Sequence, residues 1–127
     1  MTKKRTFKTK TFSKWMRKSD LKDEDLLFAV AEMEAGLVDA DLGGNVFKKR
    51  IALPGMGKRA GARTLVAGKI FRRWFFIFGF LKNEKDNIND DELVHLQGAA
   101  KRLLHLTDKD IEEAILAGEL RELTDNA

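Results

Sequence analysis

Lys48 and Arg50 stand two residues apart in Val46–Leu53, a segment in which charged and apolar residues alternate. In a β-strand that spacing puts both cations on one face. Arg63 begins the next strand-like segment and can lie beside them across a ladder. Lys82 and Lys85 follow the last strand-like run, near one end of the same sheet. Such a cluster has three chemical uses. It grips phosphates. It stabilises the added negative charge of a pentavalent phosphorane. Like-charge repulsion inside it can also lower the pKa of one Lys, giving an amine that works as base or acid near neutral pH. A plain solvated basic face fits the same spacing, as does a surface that holds nucleic acid without chemistry.

Charge is distributed unevenly. Residues 46–85 contain eleven Lys/Arg against one acidic residue, Glu84, a net +10; residues 1–45 sum to +1 and residues 86–127 to −7. A basic, strand-rich surface in a small domain faces polyphosphate. The acidic last third either solvates amphipathic helices or folds back on the basic sheet.

At 127 residues the chain reads as one domain, 1–127, with a single ordinary core. Its 43% hydrophobic content excludes a disordered chain. The absence of Cys excludes disulfides, thiolate metal sites and a Cys nucleophile, and is compatible with the reducing bacterial cytoplasm, the expected location. No apolar run follows the basic N-terminus, and the longest one, Trp74–Leu81, is too short to span a bilayer, so neither a leader nor a membrane partner is expected. His95 and His105 read as packing or surface residues, and Asp90, Asp91 and Glu92 as a helix start, so no metal or cofactor is expected. Gly55-Met56-Gly57-Lys58 is no P-loop, because no helix follows it.

The elements that must position the cluster follow from periodicity. Thr6–Thr11 suits a strand, and Phe12–Lys18 a short helix with Ser13 as its N-cap. Asp23–Ala35 is a helix stopped by Gly36, and 37–45 a loop. Val46–Leu53, Ala62–Phe71 and Arg72–Leu81 are three consecutive strands, the last two forming a hairpin with its turn near Lys69–Arg73. In the last strand Trp74, Phe75, Phe76, Phe78 and Phe80 alternate between faces, so most are core. Asp90-Asp91-Glu92 opens a helix. Thr107, with Asp110 three residues on, caps another that Gly118 ends. The fold class is α+β: a central antiparallel sheet with helices over one face and the Lys and Arg side chains on a partly open second face.

Several segments together resemble the RelE/HigB-like toxins of bacterial type II toxin–antitoxin systems. They are Phe7-Lys8-Thr9-Lys10 with Phe12-Ser13-Lys14-Trp15, Asp39-Ala40-Asp41-Leu42-Gly43-Gly44, Lys48-Lys49-Arg50-Ile51-Ala52, Gly61-Ala62-Arg63-Thr64, and Phe80-Leu81-Lys82-Asn83-Glu84-Lys85-Asp86-Asn87-Ile88. The resemblance spans about residues 6–123. It implies a microbial-ribonuclease-like fold and cleavage of messenger RNA on the ribosome, by attack of the RNA 2′-hydroxyl on the adjacent phosphate. It implies that Lys48, Arg50 and Arg63 handle that phosphate and that Lys82 or Lys85 assists the leaving group. From the basic character of the stretch, Lys49, Lys58, Arg59, Arg72 and Arg73 are expected as further RNA contacts. A cognate antitoxin, a helix-turn-helix protein, is the implied partner. Several relatives use a Tyr on the C-terminal segment, and this chain has none. Two alternatives therefore stand beside the nuclease: a gyrase-poisoning toxin of the wider superfamily, and an inactive copy that only binds its antitoxin.

Overall fold

A computed structural model describes residues 3–53, 55 and 61–124. Six strands form one mixed sheet: β1 (Arg5–Thr9), β2 (Ala40–Asp41), β3 (Val46–Ile51), β4 (Ala62–Ile70), β5 (Arg73–Leu81) and β6 (Leu120–Leu123), in the order β2-β3-β4-β5-β1-β6. The helices are α1 (Lys10–Met16), α2 (Asp23–Glu34), α3 (Asp90–Leu104) and α4 (Asp108–Leu116). The α+β class and the antiparallel β3-β4-β5 meander are as the sequence implies. The outer strands add what it does not show: β1 lies parallel to β5, and β6 closes the edge antiparallel to β1.

Local chemistry sets the helix ends. The α1 cap is Thr9, not Ser13: β1 stops at Thr9, whose hydroxyl accepts from the Phe12 N–H at 3.2 Å. Capping boxes open α3 (Asn89 with Glu92) and α4 (Thr107 with Asp110). Gly36 and Gly118 follow α2 and α4 with φ of +92° and +78°. The β4–β5 hairpin turns on Phe71 and Arg72, with φ of 55° and 54°, as a two-residue loop between twisted strands requires.

Helices cover both faces of the sheet, not one. On the first face α1 and α2 pack Phe12, Met16, Leu26, Val30 and Met33 against Phe47, Val66, Trp74 and Phe76. On the second, α3 and α4 place Leu96, Ala100, Leu104 and Ile111 against Phe7, Val46, Leu65, Ala67 and Phe75. The amphipathic stripe of α3 requires this, since a sheet with apolar residues on both faces buries both. The aromatic strand alternates until a bulge opposite Leu65/Val66, after which Ile77 and Phe78 both join the α3 side. Lys48, Arg50 and Arg63 are left at one end of the α3 face.

Candidate functional site

Ladder register assembles the site. Arg50 and Arg63 are direct partners across β3–β4, Arg63 pairs in turn with Phe80 of β5, and Lys48 pairs with Leu65. Direct partners share a face, so Lys48, Arg50 and Arg63 lie together on the α3 side. Like charges directly opposite are destabilising in a ladder. Among the described residues no ion pair neutralises Lys48 or Arg50. Asp39 accepts from the Arg50 backbone N–H at 2.7 Å, and the buried Arg50 Nε has no hydrogen-bond partner.

Arg63 is the most enclosed of the three, at 6% exposure, and its guanidinium donates to the Gly61 carbonyl at 3.0 Å. Gly61 suits this place because a Cβ on it would lie 2.2 Å from the Ile51 carbonyl oxygen. Lys48 Nζ donates to Asn87 Oδ1 at 3.4 Å. The segment after β5 therefore folds back toward the cluster and supplies a polar contact from an uncharged residue, which charge patterning does not reveal.

Lys82 and Lys85 sit in the turn after β5 and differ. Lys85 is paired with Glu92 at 2.8 Å, while Lys82 is exposed and without an ion pair among the described residues. That contact and the Asn89 N–H hold the Glu92 carboxyl below its ordinary range. Glu84 anchors the turn: its Oε1 accepts from the Leu81 N–H at 2.8 Å and from Trp15 Nε1 at 3.2 Å. Trp15 in turn lies on Gly79, where a Cβ would come within 2.4 Å of its ring.

Three further cations are placed away from the cluster. Lys49 alternates to the opposite face, buried at 3% exposure, with its ammonium 3.2 Å from Glu32 and 2.8 Å from the Leu37 carbonyl. The expectation that it touches RNA is corrected by strand alternation. Arg72 and Arg73 lie at the β4–β5 turn, the other end of the sheet. Arg72 pairs with Glu34 at 2.6 Å, and Arg73 donates to the Leu106 carbonyl and to Asp108. They staple helices to the hairpin and do not extend the cluster. Lys58 and Arg59 lie outside the described residues. The acidic last third does fold back on the basic strands, through Asp108 with Arg73 and through Glu112 and Glu122 with Arg5.

Among the described residues, no group of three or more His, Asp and Glu side chains is placed to hold a metal ion. Nor is any helix there long and apolar enough to cross a membrane. What the site offers is fixed positive charge at a sheet end, with the rings of the half-buried Phe78 and the buried Phe80 tilted at 46° and 6.1 Å apart beside it. A family model described as the RelE toxin of the RelE/RelB toxin–antitoxin system matches residues 4–123. No curated protein matches the chain.

Proposed function

This chain belongs to the RelE toxin family and is a toxin of a toxin–antitoxin system, and from that premise we propose that it is an endoribonuclease that cuts messenger RNA on the ribosome. The reaction is transesterification. The RNA 2′-oxygen bonds to the adjacent phosphorus, and the bond to the 5′-oxygen breaks. The 2′-hydroxyl proton goes to a base, and the leaving oxygen receives one. The products are a 2′,3′-cyclic phosphate and a 5′-hydroxyl, with no metal ion required.

The observation that carries this reading is the Arg50–Arg63 ladder pair with Lys48 two residues along. Two Arg placed opposite one another work against folding and suit an anionic ligand. The buried Arg50 Nε, which lacks a hydrogen-bond partner, is an uncompensated donor beside that pair. Arg50 and Arg63 hold the phosphorane charge, and Lys48, steadied by Asn87, binds the phosphate or takes the 2′-proton. Lys82, unpaired beyond β5, is better placed than the Glu92-bound Lys85 to assist the leaving oxygen. Ribosomal alignment of the RNA supplies part of the rate, since orientation alone is worth up to roughly 7–11 kcal/mol. The cognate antitoxin, a helix-turn-helix protein in this reading, masks the cationic sheet end with an acidic segment.

Mapping transcript ends after brief induction tests the reading. New ends inside translated codons support it. DNA breaks with intact transcripts would instead indicate a gyrase poison, and unchanged transcripts with normal growth an inactive homologue.

A further inference from the structure

Nine of the chain's basic residues fall between Lys3 and Lys22, against one acidic residue, Asp20. Phe12 and Met16 turn one side of α1 into the core, with Trp15 half-buried beside them. At 100° per residue, Lys10, Lys14 and Arg17 fall on the opposite side, and all three are exposed. Beside this ridge runs a surface cleft of about 970 Å³ between α1 and β6. Lys8, Lys10, Arg17, Lys22 and Arg121 line it. Arg121 is the ladder partner of Lys8, which places both on the α1 side of the sheet, across from the Lys48–Arg63 cluster.

The acidic residues of the cleft are already engaged. Asp23 pairs with Lys8 at 2.8 Å, and Glu112 and Glu122 pair with Arg5 at 3.2 and 2.8 Å. Lys10, Arg17, Lys22 and Arg121 keep no ion pair among the described residues, so the cleft presents net positive charge. Its apolar lining consists of the buried Met16, Leu21 and Leu120 and the half-buried Ile115. Among the described residues the exposed large apolar side chains are Phe28, Leu37, Phe71, Val94 and Leu116, and none of them lines it. Spaced exposed cations over a recessed apolar floor suit a regularly charged backbone better than a folded protein segment.

We propose that the α1–β6 cleft is a second RNA-binding surface, which holds the phosphodiester backbone through Lys10, Arg17, Lys22 and Arg121 while the separate Lys48/Arg50/Arg63 cluster acts on the scissile phosphate. Only the choice of RNA as polyanion rests on the nuclease reading. With two surfaces on opposite faces, the protein grips structured RNA away from the strand it cuts.

The test is binding of a labelled RNA hairpin as a function of salt, in an Arg63→Ala background so that the probe survives. Each phosphate contact contributes about 0.7–0.9 to the log–log slope, so Lys10→Gln/Arg17→Gln/Lys22→Gln/Arg121→Gln should lower its magnitude by about 3. The charge-keeping set Lys10→Arg/Arg17→Lys/Lys22→Arg/Arg121→Lys should restore it. An unchanged slope in the Gln variant overturns the proposal. So does loss in both sets, which would make the effect one of packing. So does a Gln variant that keeps its RNA slope but loses affinity for polyglutamate, which would make the partner an acidic protein. Because binding is read on uncut RNA, this result is independent of whether the wild-type protein cleaves.

Discussion

Lys49→Ala separates a structural cation from an RNA-binding one. Its side chain is 4% exposed, and its ammonium lies 3.2 Å from the Glu32 carboxylate, itself 19% exposed. It also donates to the Leu37 carbonyl at 2.8 Å. Truncation removes a charged partner from Glu32 and a donor from Leu37, and leaves a gap where the aliphatic stem lay between β3 and α2. Breaking a buried pair from one side costs about 3–5 kcal/mol. Residual water access at Glu32 reduces this to about 2–3 kcal/mol. For a domain of this size each kcal/mol moves the midpoint by about 4 °C, so the melting temperature should fall by about 10 °C. Thermal melts in the Arg63→Ala background, beside RNA titrations across salt, give both readouts. The expected result is a large drop in stability with an unchanged salt slope. A melting temperature within about 2 °C of the parent, with the slope reduced by about 0.7–0.9, would refute the buried placement and return Lys49 to the RNA surface.

Gly79→Ala should cost about 1–3 kcal/mol by overpacking, because its methyl would lie 2.4 Å from the Trp15 ring. The Gly79→Ala/Trp15→Ala double variant should lose less stability than the sum of the two single variants in a double-mutant cycle by urea denaturation; strict additivity would place the strain elsewhere. Acid should destabilise the fold through two carboxylates. Burial pushes the Glu34 carboxyl up, but hydrogen bonds from Arg72 and Trp74 outweigh it and hold the group below the ordinary 4.5. The Arg5 guanidinium does the same for Glu122. A depressed folded-state pKa contributes stability that is full above the unfolded value and lost as pH falls through the folded one. Urea midpoints should therefore fall below about pH 4.5, and Glu34→Gln or Glu122→Gln should flatten that limb; an equally steep limb in both variants would place the effect on other groups.

Alternation and capping made much of this legible. The i, i+2 spacing of Lys48 and Arg50 located the cationic face, and the Thr107/Asp110 box located α4. The two short strands were harder. β6 has only Leu-Arg-Glu-Leu and exists because β1 offers it an open edge, a tertiary effect with no local signal. The parallel pairing of β1 with β5 was hidden for the same reason. The second helical layer was underread because strand residues with apolar side chains on both faces look like an aromatic run, not like a sheet covered twice. Within the site, alternation alone sends Lys49 to the face opposite Lys48 and Arg50; its burial against Glu32 and the Leu37 carbonyl is tertiary and has no local signal. Asn87 carries no charge, so a search for clustered cations passes over it.

Single-turnover cleavage of messenger RNA on a programmed ribosome tests the central claim most directly. The wild-type chain should cut within the codon at the ribosomal A site and leave a 2′,3′-cyclic phosphate. Arg63→Ala or Arg50→Ala should slow this step by about 10²–10³-fold, the loss typical of one transition-state donor, while the folded state survives. Undiminished cutting in both variants, or a 5′-phosphate product, would contradict the assignment of the Arg50–Arg63 pair to the scissile phosphate.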